Sequence, residues 1–188
     1  VKPPENVVMK RLASILALAA LAATPASAAL KAGDKAPDFT APGFQAGKPL
    51  TFSLAQARKK GPVVLYFFPA ADTKGCNLEA KMFADAMPQF AAAGATVIGV
   101  TAGNLDKLQQ ISADSDKCSG KFPVAADPGA KIARSYDAVL AAKPDWSDRT
   151  SYVISPNGQI VHVYSKMDPS EHVSQTLGAV KSIKTAKK

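Results

Sequence analysis

Along the chain, fully apolar runs alternate with polar stretches rich in turn residues. Val63-Val64-Leu65-Tyr66-Phe67-Phe68 is apolar at every position, which predicts a central strand covered on both faces. Ala95 to Thr101 predicts a second buried strand. Between them, Asn77 to Ala86 reads as a helix, expected to bend or break near Pro88 and to end at Gly94. Upstream, Lys31 to Phe39 is a polar lead-in. Leu50 to Leu54 alternates weakly as a short strand, and Ala55 to Lys60 is a short helix stopped by Gly61-Pro62. Downstream, Asn104 is placed to cap a helix through about Ala113, and Phe122 to Asp127 predicts a short strand with Pro123 near its edge. Gly129 to Tyr136 predicts a short helix. Thr150 to Ile154 and Gln159 to Tyr164 predict a hairpin across Ser155-Pro156-Asn157-Gly158, and Pro169 to Lys184 a final amphipathic helix. The order β-α-β-α-β-α-β-β-α predicts an α/β fold, a mixed sheet with helices on both faces. It shows no internal repeat and no long linker.

The first 28 residues read differently. Lys10-Arg11, the apolar run Leu12 to Ala23, and Ala26-Ser27-Ala28 form a charged, an apolar and a small-residue region, the pattern of a secretory signal peptide. The apolar run is 12 residues, whereas a spanning helix needs about 20, so no stable membrane anchor is expected. Cleavage is expected after Ala28, with Met9 as the true start and the mature protein exported, in a periplasmic setting. Residues 29–188 then form one domain. Removing Lys2, Glu5, Lys10 and Arg11 changes the formal charge from +8 to +6. The densest basic cluster is the tail, Lys181, Lys184, Lys187 and Lys188, which reads as a solvated C-terminus, and no nucleic-acid partner is expected.

Cys76 carries the strongest chemical signal. It follows Pro69-Ala70-Ala71-Asp72-Thr73-Lys74-Gly75, between the end of a buried strand and the first turn of a helix. Unsatisfied backbone N–H groups and the positive end of the helix dipole meet there, and both favour thiolate, the reactive form. The only other cysteine, Cys118, lies 42 positions on, and a simple structural bridge between the two is the bland alternative. His162 and His172 have no ligand-like partners at metal spacing, so no metal is expected.

Pro69-x-x-x-Thr73-x-x-Cys76 after a buried strand resembles the peroxiredoxin active-site signature. Ala36-Pro37-Asp38-Phe39 is similar to that family's N-terminal motif, Arg149 matches its arginine, and Tyr152 to Ile160 matches its C-terminal strand and turn. Among peroxiredoxins the resemblance is strongest to the bacterioferritin-comigratory or PrxQ type. It implies a thioredoxin-like fold and reduction of hydrogen peroxide or organic hydroperoxides, with no cofactor. Cys76 would be the peroxidatic nucleophile, becoming a sulfenic acid. Thr73 would accept a hydrogen bond from the peroxide and donate one toward the thiolate, and Arg149 would supply fixed positive charge. Pro69 would shape and shield the loop, the N–H groups of Gly75 and Cys76 would be further donors, and Glu79 would cap the helix or orient Arg149. Trp146, close to Arg149 in sequence, would wall the pocket or pack in the core. PrxQ-type proteins with no second cysteine five residues after the nucleophile, where this chain has Lys81, can place it in or near the next helix. Cys118 falls there, so an internal Cys76–Cys118 disulfide is implied, with a thioredoxin-like or other thiol reductant and a monomeric protein. A one-cysteine enzyme resolved by an external thiol remains the alternative.

Asp72 and Asn77 depart from the family's usual residues, and Asp72 would place negative charge beside the thiolate. A thioredoxin-like disulfide oxidoreductase would need Cys-x-x-Cys, which Gly75-Cys76-Asn77-Leu78-Glu79 lacks. A copper carrier would need paired cysteines and a nearby histidine. A non-enzymatic binding module on the same fold would tolerate loss of Thr73 or Arg149, and both are present.

Overall fold

A computed structural model of the chain describes residues 30–185. The signal-peptide reading, its Met9 start, and the tail residues Lys187 and Lys188 fall outside the described residues. In chain order the strands are β1 (Thr40–Gln45), β2 (Lys48–Ser53), β3 (Val63–Phe67), β4 (Thr96–Thr101), β5 (Val124–Ala126), β6 (Val139–Leu140), β7 (Lys143–Ser147), β8 (Thr150–Ile154) and β9 (Ile160–Ser165). The helices are α1 (Leu54–Arg58), α2 (Lys74–Ala92), α3 (Leu108–Ala113), α4 (Lys131–Ser135) and α5 (His172–Thr185), with a 3-10 turn over Leu105–Lys107. Seven strands form one mixed sheet in the order β2-β1-β5-β4-β3-β8-β9, while β6 and β7 pair separately. β3, β4 and β5 run parallel, and β8 lies antiparallel to β3.

β3 is buried along its whole length because its alternate side chains enter two cores. Val64, Tyr66 and Phe68 meet Phe83 and Phe90 of α2 and Val180 of α5. Val63, Leu65 and Phe67 meet Leu54 of α1, Ala133 of α4 and the buried tyrosines Tyr136 and Tyr152. The lead-in segment is anchored too: the Tyr136 hydroxyl donates to the Pro37 carbonyl at 2.6 Å, and the Phe39 ring lies 5.9 Å from that of Phe52.

Four sequence expectations change. β1 has no counterpart among the predicted elements, and Pro42 and Gly43 both weaken a strand. It forms because Gly43 pairs with Ala125 so closely that a Cβ would sit 2.3 Å from the Val124 carbonyl oxygen. Its link to β2 is a two-residue turn with Ala46 at φ 51° and Gly47 at φ 74°, the positive-φ pair that suits a hairpin. β6 and β7 were likewise unforeseen, being short, largely exposed and without alternation. The helix after Cys76 does not break at Pro88 but runs through to Ala92. A proline there removes the donor for the Ala84 carbonyl, and Lys121 Nζ supplies one at 3.1 Å. The helix does end at Gly94 (φ 74°), where Gly94 N–H donates to Ala91 and Ala95 N–H to Phe90, both at 2.9 Å. Finally, Asn104 stands before the 3-10 turn that leads into α3, which ends at Ala113 as expected, but it is left-handed and its side chain makes no cap bond; its side-chain amide donates to the Ala71 carbonyl at 2.9 Å instead.

Candidate active site

Cys76 sits beyond the carboxyl end of β3, the side on which parallel strands open their crevice. The loop from Phe68 to Thr73 is fixed from below. Ala70 bridges to Gly103, Ala71 N–H donates to the Gly103 carbonyl at 3.1 Å, and the Thr101 hydroxyl donates to the Pro69 carbonyl at 3.2 Å. A Cβ on Gly103 would lie 2.5 Å from that same Pro69 oxygen, so only glycine lets the loop approach β4 this closely. Cys76 is the third residue of α2 and 4% exposed. With Gly75 it belongs to the first turn, whose N–H groups have no acceptor within the helix.

Arg149 arrives by sheet register. β8 runs antiparallel to β3 with Thr150 opposite Phe67, so the residue before Thr150 lies at the end of β3 where the Cys76 loop begins. Its guanidinium is shared three ways. Nη2 donates to Cys76 Sγ at 3.4 Å, Nε donates to the Met167 carbonyl at 2.8 Å, and Nη1 donates to Glu79 Oε2 in a buried ion pair. Glu79 lies one turn after Cys76, so the thiol and the carboxylate share a helix face and reach the same arginine.

Behind Glu79 stands a residue whose position the sequence did not reveal. His172, the first residue of α5, is fully buried. Its Nε2 faces the Lys166 carbonyl at 2.9 Å and so carries a proton, leaving Nδ1 to accept from the Ser151 hydroxyl at 2.8 Å. Glu79 Oε1 lies 3.6 Å from that Nδ1 and has no hydrogen-bond partner. Burial pushes the Glu79 carboxyl up from 4.5 to about 8 against the pull of Arg149. Burial pushes His172 the other way, towards the neutral form.

Thr73 and Pro69 lie on the same loop, but the Thr73 hydroxyl is oriented differently from expectation. It donates to the Ala70 carbonyl at 3.2 Å, makes no helix cap, and leaves its lone pairs to accept. Acceptance from a peroxide fits this arrangement; donation to the thiolate does not. Trp146 lies on β7 with Lys143 Nζ 3.2 Å from the centre of its ring.

The AhpC/TSA family profile matches residues 32–163. The chain belongs to the AhpC/TSA family. Its relatives include the chloroplastic peroxiredoxin Q of Sedum lineare, 31% identical over 153 residues that cover 81% of this chain and 78% of that protein. The chloroplastic peroxiredoxin Q of Arabidopsis thaliana is 34% identical over 154 residues, covering 80% of this chain and 67% of that protein. Among solved structures, peroxidoxin BcpB from Mycobacterium tuberculosis superposes with a TM-score of 0.70 at 29% identity, covering 82% of this chain and 98% of that one. The reduced 2-Cys peroxiredoxin of Plasmodium vivax has a TM-score of 0.73 at 20% identity, covers 84% of this chain and 83% of that one, and shares the fold. This peroxiredoxin is a thiol peroxidase with the thioredoxin-like α/β fold expected from the sequence, acting on a peroxide with a thiol reductant.

The second cysteine of this peroxiredoxin lies in the turn after α3. Cys118 is free and fully buried, as Cys76 is free and nearly so. Burial, with the charge of Asp114 adding, pushes the Cys118 thiol up to about 12. The structure also explains how Asp72 is tolerated. Asp72 Oδ1 accepts from Lys117 Nζ at 2.7 Å and from the Asn77 side chain at 3.2 Å, so its charge is paired. Lys117 holds the Asp72 carboxyl below its usual value. Among the described residues, no group of three or more His, Cys, Asp or Glu could hold a metal ion, and no helix is long and apolar enough to cross a membrane.

Proposed function

We propose that Cys76 is the peroxidatic thiol of this enzyme. The observation that carries the assignment is Arg149 Nη2 at 3.4 Å from Sγ, on a thiol in the first turn of a 19-residue helix. The Cys76 thiolate attacks the peroxide, the O–O bond breaks, and Cys76 keeps one oxygen as a sulfenic acid. The other oxygen leaves as water or an alcohol after taking a proton. Arg149 stabilises the charge that moves from sulfur to the leaving oxygen. Thr73 accepts a hydrogen bond from the peroxide, Pro69 closes the loop over the thiol, and the N–H groups of Gly75 and Cys76 add donors. Cys118 is the resolving thiol. It condenses with the sulfenic acid to give a Cys76–Cys118 disulfide and one water, and a thioredoxin-like or other dithiol then reduces the bond. Both thiols are buried in the reduced protein, and Cys118 is held protonated by burial. The condensation therefore passes through a local opening of the first turn of α2 and of the turn carrying Cys118. Arg149, Glu79, Thr73 and both cysteines come from one chain, so the proposed steps call on no residue of a second subunit, and the resemblance to the PrxQ type favours a monomer. The segment from Lys10 to Ala28 supports export, with the periplasm as the working compartment.

Residues 29–188, reduced and then mixed with hydrogen peroxide, test the assignment by peroxide consumption and intact mass. Consumption lost in Cys76→Ser supports it; consumption that persists overturns it. In the wild type, an internal disulfide that disappears in Cys118→Ser supports the resolving role, while a stable sulfenic acid in the wild type rules it out.

A further inference from the structure

One oxygen atom joins the neighbours of both thiols. Asp72 Oδ1 accepts from the Asn77 amide, one residue after Cys76, and from Lys117 Nζ, one residue before Cys118. Asp72 has φ 59°, a left-handed conformation that aspartate tolerates better than most residues. Its backbone neighbour Ala71 is pinned to Gly103 and Asn104. Asp72 is thus a fixed post, to which the start of α2 and the Cys118 turn are both tied. Lys117 also reaches Asp114 Oδ2 at 3.1 Å, and its side chain is only 14% exposed. The Cys118 N–H reaches the Ile111 carbonyl at 3.4 Å and its carbonyl accepts from the Lys121 N–H at 3.0 Å, within a turn that has positive φ at Ser119 and Gly120.

We propose that Asp72 and Lys117 are positioning residues that clasp the two thiol-bearing segments in the reduced, peroxide-ready arrangement and thereby set the rate of disulfide closure. This rests on the reading of Cys118 as the resolving thiol. Closing the bond needs the two Cα atoms within about 4.4–6.8 Å of each other. Asn77 must leave as the first turn of α2 unwinds, and Lys117 must move with Cys118, so both contacts with Asp72 are lost on the way. The same pairing has a second effect before closure. Lys117 cancels the carboxylate charge that the loop carries four residues before Cys76. Asp72→Asn removes the charge and so weakens the clasp to neutral-acceptor hydrogen bonds. Lys117→Met removes the clasp and leaves the charge.

The test is a single turnover of the reduced protein with hydrogen peroxide, following sulfenic acid loss and disulfide gain by quenched intact mass. Asp72→Asn and Lys117→Met are expected to close the disulfide roughly 2–5-fold faster than wild type, the range for losing a part-exposed ion pair. Asp72→Asn should leave the peroxide step unchanged, Lys117→Met should slow it, and Lys117→Arg should restore wild-type closure. Raising salt from about 20 mM to about 500 mM should speed closure in the wild type and leave Asp72→Asn unaffected, because screening weakens the pair. The salt arm needs no substitution and holds if a variant fails to fold. Closure at wild-type speed or slower in both variants, or a wild-type rate indifferent to salt, overturns the clasp and leaves the resolving role of Cys118 standing. A wild type that forms no internal disulfide, judged against Cys118→Ser, overturns both.

Discussion

Glu79→Gln is the most informative single change in the site, because it separates two descriptions of the buried carboxyl. Glu79 is fully buried, one oxygen bonds Arg149, and the other faces the unprotonated nitrogen of His172 without a donor. Burial away from water, only partly offset by Arg149, accounts for a folded value of about 8 against 4.5 in the free residue. Between those two values the folded protein holds a proton that the unfolded chain releases, so stability falls as pH rises through the window. Below 4.5 both states are protonated and the contribution vanishes; above 8 the whole penalty is present. At about 1.4 kcal/mol per pH unit the full span approaches 5 kcal/mol, and relaxation around Arg149 reduces it, so we expect roughly 2–5 kcal/mol. The assay is urea unfolding of reduced wild type and Glu79→Gln at pH 5, 6.5 and 8, each in a Cys76→Ser, Cys118→Ser background. The wild type should lose that amount relative to the glutamine variant as pH rises. Parallel curves, within about 0.5 kcal/mol, would refute the reasoning and mean that Arg149 keeps Glu79 ionised throughout.

Arg149→Met should slow the peroxide step by about 10²–10³-fold, measured by competition kinetics. It should also destabilise the fold by roughly 3–5 kcal/mol at pH 8, because the buried Glu79 loses its ion-pair and hydrogen-bond partner and folds only by holding a proton; adding Glu79→Gln should recover stability but not rate. Lys121→Met should cost about 1 kcal/mol in urea unfolding by orphaning the Ala84 carbonyl, and nothing in a Pro88→Ala background, where residue 88 regains its N–H. Gly103→Ala should cost roughly 1–3 kcal/mol and slow the peroxide step, since its Cβ would push against the Pro69 carbonyl that shapes the loop.

The parts of the fold legible in the chain were those with strong local patterns. β3 and β4 stood out as unbroken apolar runs, β8 and β9 by their turn, and α2 by its position after Cys76. β1 was hidden because Pro42 and Gly43 look like breakers until β5 is seen to need the space. α2 was expected to break because nothing local shows that Lys121 will satisfy Ala84. At the site, Cys76, Thr73 and Pro69 share one short loop and could be read together. Arg149 was reached by its family position, and its physical reason is the antiparallel register of β8 against β3. His172 and Lys117 went unplaced, since their partners lie far off in sequence, 93 residues away for His172 and 45 for Lys117.

By itself the sequence determined which segment could make a thiol reactive: a buried strand, a turn of defined length and a helix start, all within short range. Local periodicity and helix-end chemistry act over a few residues, so they are written in neighbouring letters. Tertiary structure alone decided what surrounds that thiol. The shared arginine, the half-satisfied carboxyl beside His172, and the carboxylate tying Asn77 to Lys117 are contacts between distant segments. They exist because sheet register and helix packing bring those segments to the same end of β3, and pairwise electrostatics in a buried site depend on that distance and burial rather than on order along the chain.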